Sequence, residues 1–294
     1  MYGHTMKQIR KMKKFTQKEI YTGVVSKSFY SDFEAGKYSV SIEKFEGLLQ
    51  NLNISFDEFM YFYHQNDLSD SRKLDAKIDE LYKKGKFDEL FAIYERHFSN
   101  HVKEIRYLAA KAYLLVLITH NNFHKLSRDP FIEILADLEN AKMWTLNEIK
   151  LAKLVLLSIP EKELDRSNKL FTRIKQELTK YEIFDNKVYF EELADLFFNR
   201  IQSLLILNDV KSSKEVLNEY SLAIQGSDNM TLCIQLQFIS ILVGLYYDYP
   251  TYETKVKKFF TQMNKIPVSE CHFYRVIFDI HNEKAKNYFL RYFK

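Results

Sequence analysis

Lys27, Ser28, Ser31 and Asp32 bring together an ammonium, two hydroxyls and a carboxylate, the groups that donate to or accept from the edges of base pairs. Their spacing places them on the outer side of one short helix. Around them lies a run of cations, Lys7, Arg10, Lys11, Lys13, Lys14 and Lys18, before the first acid at Glu19, and Lys37 follows the helix. Cations so placed neutralise phosphates and supply affinity, while side chains in the major groove supply sequence choice. Gln17 and Tyr30 complete the set of candidate DNA contacts, which is Arg10, Gln17, Lys27, Ser28, Tyr30, Ser31, Asp32 and Lys37.

The element that must carry these groups is the stretch Thr16 to Gly36, which reads as helix, tight turn, helix. Thr16 and Ser26 are N-cap residues, and Glu19, three residues after Thr16, completes a capping box. Gly23 falls in the turn and Gly36 just past the second helix, where a positive φ suits glycine. On that helix, Phe29 or Tyr30 together with Phe33 pack inward. Further helices are expected over 4–13, with Ile9 and Met12 as its apolar side, after the Ser39 or Ser41 cap to about Asn51, and from the Ser55/Glu58 capping box to Tyr63. Five short helices around Phe33, Phe45, Leu49, Ile54 and Phe59 close a domain ending near residue 66.

Seven glycines, four prolines and 15% aromatics in 294 residues favour long packed helices with short connections. The net charge of +4 matters only through its placement. From 67 to 294 the chain is a succession of amphipathic segments, expected near 70–84, 86–98, 102–120, 128–141, 145–158, 161–181, 186–207, 210–225, 228–247, 250–264 and 268–283, with a short final helix. Paired helices recurring every ~35–40 residues are the mark of tetratricopeptide-like arrays. The fold class is therefore all-α, an N-terminal five-helix, helix-turn-helix DNA-binding domain (1–66) followed by a repeat domain (67–294).

Catalysis finds no support: there is no glycine-rich phosphate loop, no Gly-x-Ser-x-Gly elbow and no His-Glu-x-x-His. Pairs such as Glu191-Glu192 and Asp88-Glu89 sit among lysines, the pattern of a solvated face. The expectation is that the chain is no enzyme and uses no cofactor. His120 and His124 have helical spacing, and His97 and His101 precede them, but Asn121-Asn122 breaks the helix and no metal site is expected. Cys233 and Cys271 read as small core residues in a reducing compartment. The basic N-terminus lacks a signal peptide's apolar run, and Leu232 to Tyr247 reads as a buried helix, so a cytoplasmic protein is expected.

The order of parts, and the run Ser26-Lys27-Ser28, Ser31, Phe33-Glu34, Gly36, Leu48-Leu49, Leu52, Ile54 and Asp57-Glu58-Phe59, resembles the Rgg (GadR, MutR) transcriptional regulators of the RRNPP peptide-sensing group. Trp144, Glu148 and Ile149 resemble a segment of their repeats. The resemblance implies a cytoplasmic homodimer that binds double-stranded promoter DNA and takes a short peptide effector in quorum sensing. It also implies an asparagine clamp on the peptide backbone, for which Asn199 is the best match. Asp32 departs from the family, which more often has Lys or Arg there. An acid at that place forgoes a phosphate contact, though it can accept from a cytosine amine.

Besides Asn199, the amides and cations of Arg200, Gln202, Lys150, Lys153 and Gln235 are candidate peptide contacts. Arg106, Tyr107, Gln237, Tyr246 and Tyr247 are further candidates to line the groove. Two other readings compete: the repeat domain as a protein-interaction scaffold, or the same DNA-binding regulator responding to pH or a small molecule.

Overall fold

The structure, a computed structural model, describes residues 1–64, 69–119, 126–160, 163–225, 229–265 and 270–293. Among them every regular element is a helix. The chain forms two compact units, Met1–Lys86 and Phe87–Lys294. The expected boundary near 66 falls on residues 65–68, outside the described set.

The first unit holds α1 (Tyr2–Met12), α2 (Gln17–Tyr21), α3 (Lys27–Glu34), α4 (Ile42–Leu52), α5 (Phe56–Tyr63) and α6 (Asp70–Lys83). Its core is built from Met6, Ile9, Ile20, Tyr30, Phe33, Phe45, Leu48, Leu49, Leu52 and Phe59. Ile54, expected in that core, packs at its edge. Met12 is exposed rather than apolar support, because α1 ends there and the chain reverses through Lys14 at φ 60°. Helix α1 packs on α3 and α5, and α2 on α3 and α4, so α3 has an inner side fixed by α1 and α2 and an outer side free of both.

In the second unit, α8 (Lys103–Thr119), α10 (Leu146–Ser158), α13 (Asn186–Ile206), α15 (Met230–Tyr247) and α17 (Glu270–Tyr292) follow one another as a packed row. Helices α7 (Phe87–His97), α9 (Asp129–Asn140), α11 (Leu164–Leu178), α14 (Val210–Ala223) and α16 (Tyr249–Met263) pack beside them. This is the nearest-neighbour packing of a helical-repeat array. Trp144 is the anchor expected of it: the side chain is buried, its Nε1 donates to the carbonyl of Leu138 at 2.9 Å, and the Arg173 guanidinium lies 4.1 Å from the ring.

Three local expectations change. A short helix, α12 (Tyr181–Phe184), intervenes before α13. The C-terminal segment is one helix of 23 residues instead of two, since no proline or glycine interrupts it after 270. Cys233 is exposed, being on the side of α15 that turns away from the core; of the side chain of Cys271, the described residues give no account. Helix α15 is long and apolar enough to cross a membrane, but 56% of it is buried within the unit, against α13, α14, α16 and α17, and that burial accounts for its apolarity.

His281 on α17 is buried, with Nδ1 3.0 Å from the Tyr246 hydroxyl and Nε2 without a partner among the described residues. Burial, and then the Lys284 ammonium, push its pKa down to about 4. The unfolded chain therefore binds a proton near pH 6.5 that the folded chain refuses. The contribution of this histidine to stability is whole above that pH and is expected to fall by roughly 3 kcal/mol between pH 6.5 and 4. Denaturation midpoints of the wild type and His281→Gln across this window are expected to converge as pH falls; parallel curves would exclude the histidine as the cause.

Candidate nucleic-acid interface

The helix-turn-helix is assembled by short-range bonds that its residue types dictate. Glu19 Oε2 accepts from the Thr16 backbone N–H at 2.6 Å while Thr16 Oγ1 accepts from the Glu19 N–H at 3.3 Å, closing the capping box that starts α2. The turn passes through Gly23 at φ 79°. Asn51 on α4 then ties down the end of α2, its Nδ2 donating to the carbonyls of Ile20 at 2.7 Å and Thr22 at 3.1 Å. Ser26 caps α3 by accepting from the Phe29 N–H at 3.3 Å.

The inner side of α3 carries Tyr30, Phe33 and Glu34, all buried. A buried carboxylate needs a cation and hydrogen bonds, and Glu34 has both. Arg10 Nε and Nη2 donate to its two oxygens at 2.6 and 2.9 Å, and Gln17 Nε2 donates to Oε2 at 2.8 Å. Burial works against the charged form, but the bonds from Arg10 and Gln17 outweigh it and hold Glu34 below the usual carboxylate range. The same partner raises Arg10. A third Arg10 bond, from Nη1 to the Phe15 carbonyl at 2.8 Å, fixes the link between α1 and α2.

Two candidate DNA contacts are thereby corrected. Arg10 is 8% exposed and spends its guanidinium on Glu34, and Tyr30 is wholly buried in the core. Both side chains face the interior of the domain rather than solvent. Gln17 is half-buried with its amide engaged by Glu34. Within the basic rim, Lys13 is exposed but engaged: its Nζ donates to the carbonyls of Leu52 and Asn53 at 2.7 and 2.8 Å, capping α4. The residue that sequence reasoning missed is Glu34, whose position one residue after Phe33 and four after Tyr30 marks it as an acid on an apolar side.

The outer side of α3 keeps its polar residues. Lys27, Ser28 and Ser31 are exposed, as are Lys11, Lys14 and Lys18. Ser28 Oγ lies 3.2 Å from Ser26 Oγ. Asp32 is held by Lys37, whose Nζ donates to Oδ1 at 2.9 Å and whose own pKa is raised by that bond. The acid that departs from the family pattern thus carries its own counter-charge.

Residues 6–59 match the helix-turn-helix family. The amino-terminal unit is a helix-turn-helix domain. Over the whole chain, the fold is similar to a putative transcriptional regulator from Listeria monocytogenes EGD-e (TM-score 0.78, 20% identity, 97% of this chain and 98% of that one). It is also similar to the SHP pheromone receptor Rgg2 of Streptococcus dysgalactiae (TM-score 0.70, 15% identity, 97% and 100%). A third similar structure is that of a bacterial peptide pheromone/receptor complex (TM-score 0.65, 15% identity, 97% and 98%). The resemblance to Rgg regulators read from the sequence is borne out by these findings, the whole-chain matches showing the likeness as one of fold. The helix-turn-helix domain and the helical array both belong to that shared fold.

Of the candidate peptide contacts, Lys150 and Lys153 on α10 face Glu192 and Asp195 on α13. Lys153 pairs with Glu192 and lies 3.6 Å from Asp195, and Lys150 lies 3.5 Å from Glu192. Asn199 is one turn beyond Asp195, half-buried, with no side-chain hydrogen bond among the described residues; Gln202 is half-buried too. Arg200 and Gln235 are buried and engaged within the packing of the unit. Arg200 is 4% exposed and donates to Ser167 and Asn168 on α11, because position 200 turns toward α11. Gln235 is buried and its Oε1 accepts from the Tyr220 hydroxyl at 3.2 Å. Of the four histidines weighed as ligands, His120 and His124 lie outside the described residues, which contain no metal-holding group.

Proposed function

We infer that this chain is a DNA-binding transcription regulator, working as a homodimer in the cytoplasm, whose promoter binding is controlled by a short peptide held in the repeat domain. The observation that carries the DNA reading is the division of α3. Its inner side is locked by Arg10, Glu34 and the core, and its outer side presents Lys27, Ser28 and Ser31 without an ion pair among the described residues. A helix held so rigidly on one side and polar on the other is suited to the major groove.

The peptide reading is supported by the likeness to a pheromone receptor and a peptide pheromone complex, and by the Asn199 amide, without a hydrogen bond among the described residues, beside the charge cluster of α10 and α13. An unpaired amide can take both a donor and an acceptor of an extended backbone. A bound peptide acts on promoter affinity only through different affinities for two arrangements of the dimer.

Selection of duplexes from a random pool by the full-length protein is expected to return two related half-sites about one helical turn apart or a multiple of it. Binding is expected to fall steeply with salt. No enriched sequence, together with elution from heparin at low salt, would favour the scaffold. Asn199→Ala is expected to weaken, by about tenfold, the anisotropy-measured affinity for an apolar peptide encoded beside the gene; an unchanged affinity removes the clamp.

A further inference from the structure

Arg200 is a buried cation that forms no ion pair among the described residues. Its Nη1 donates to Ser167 Oγ at 2.7 Å and its Nη2 to Asn168 Oδ1, both neutral, while its Nε has no acceptor among the described residues. No described carboxylate lies within ion-pair distance, and burial lowers its pKa, countered only by the charge of Asp209. Guanidinium stays charged in proteins and is retained inside them where an anion meets it.

A cavity of about 460 Å³ opens beside it, at the C-terminal ends of α8, α10 and α13 and the start of α11. Arg128 lines the same cavity, half-buried, with Nη2 donating to the Ser158 carbonyl at 2.9 Å. Ser158, Ser167 and Ser203 add hydroxyls, and aliphatic side chains, Leu156 and Ile206 among them, make the rest of the described wall. None of the described lining residues is acidic. Two arginines over an apolar wall suit one negative charge on an apolar body, and disfavour a polyphosphate, which has no apolar part to bury.

We propose that this cavity, between the ends of α10 and α13, is an effector site for the carboxylate of an amphipathic acid, with Arg200 as the buried anchor and Arg128 as the second cation. The shared chemistry is a carboxylate on an aliphatic chain, either a free acid or the C-terminus of an apolar peptide. The site does not depend on Asn199, whose side chain lies on the stripe with Glu192 and Asp195.

Calorimetric titration of the full-length protein with octanoate, and with octanamide as its neutral analogue, tests the assignment. Octanoate is expected to bind, octanamide about tenfold more weakly or not at all. Ser203→Leu fills the cavity while leaving every charge in place, so it is informative even where Arg200→Gln fails to fold. It is expected to weaken octanoate binding about tenfold. No heat with octanoate, equal affinity for the amide, or unaltered binding by Ser203→Leu would overturn the proposal. Competition between octanoate and an apolar heptapeptide with a free, but not an amidated, C-terminus assigns the carboxylate to a peptide end; absence of competition alongside octanoate binding assigns it to a free acid.

Discussion

Replacing Arg10 with alanine is expected to destabilise the amino-terminal unit by about 3–5 kcal/mol, because it strands a buried carboxylate. Glu34 is 1% exposed at its side chain and loses both Arg10 bonds at once. Gln17, a neutral donor, remains among the described residues. The pH dependence gives the mechanism away. In the wild type the folded pKa of Glu34 lies below its ordinary value, so its contribution is whole above that value and is lost as pH falls through the lowered pKa. In the variant, burial without a cation raises the pKa instead, and protonation relieves the penalty. The stability gap between the two proteins should therefore be widest near neutrality and narrow below about pH 5. A gap that stays constant would mean that lost packing, not stranded charge, is responsible. The double variant Arg10→Met, Glu34→Leu is expected to recover most of the loss, as an apolar pair fills the same space without desolvating charge.

The second large effect is at Gly3. A Cβ on this residue of α1 would lie 1.7 Å from the carbonyl oxygen of Phe33 and 2.7 Å from its carbonyl carbon, both backbone atoms of α3. Backbone cannot rotate aside as a side chain can, so Gly3→Ala must push α1 and α3 apart. Overpacking typically costs about 1–3 kcal/mol and more where no rotamer can yield; the upper end is expected here. The displacement also disturbs the Arg10–Glu34 contact, which joins the same two helices. Urea denaturation monitored by Trp144 would miss this, since that residue belongs to the other unit. Amide exchange at Ile9 and Phe33 is the suitable readout, with faster exchange expected at both. Wild-type protection in Gly3→Ala would show that the helices do not approach as closely as described.

Both variants act on how α3 is held, and here sequence and structure part company. The caps were legible, because Thr16 with Glu19, Ser26, and Ser55 with Glu58 are local patterns whose partners lie within one turn, and each forms the expected bond. Gly23 and Gly36 likewise take the positive φ that their places require. Arg10 was not legible. It stands in a run of cations with similar neighbours, and the partner that draws it inward lies 24 residues away. The engagement of Lys13 was not legible for the same reason, its acceptors being 39 and 40 residues distant. The same holds in the array: nothing in the order Asn199-Arg200 says which of two adjacent polar side chains turns toward α11 and which stays on the stripe of Asp195. Periodicity gives the faces of a helix but leaves open which neighbour each face meets.

The central claim is that the outer residues of α3 read a duplex while its inner residues only hold it in place. Footprinting on a selected operator with Lys27→Ala, Ser28→Ala protein compares directly with the wild type, provided amide exchange at Ile9 and Phe33 shows the same protection in both. The account predicts that the footprint disappears although the domain remains folded. An undiminished footprint from that folded variant would contradict it.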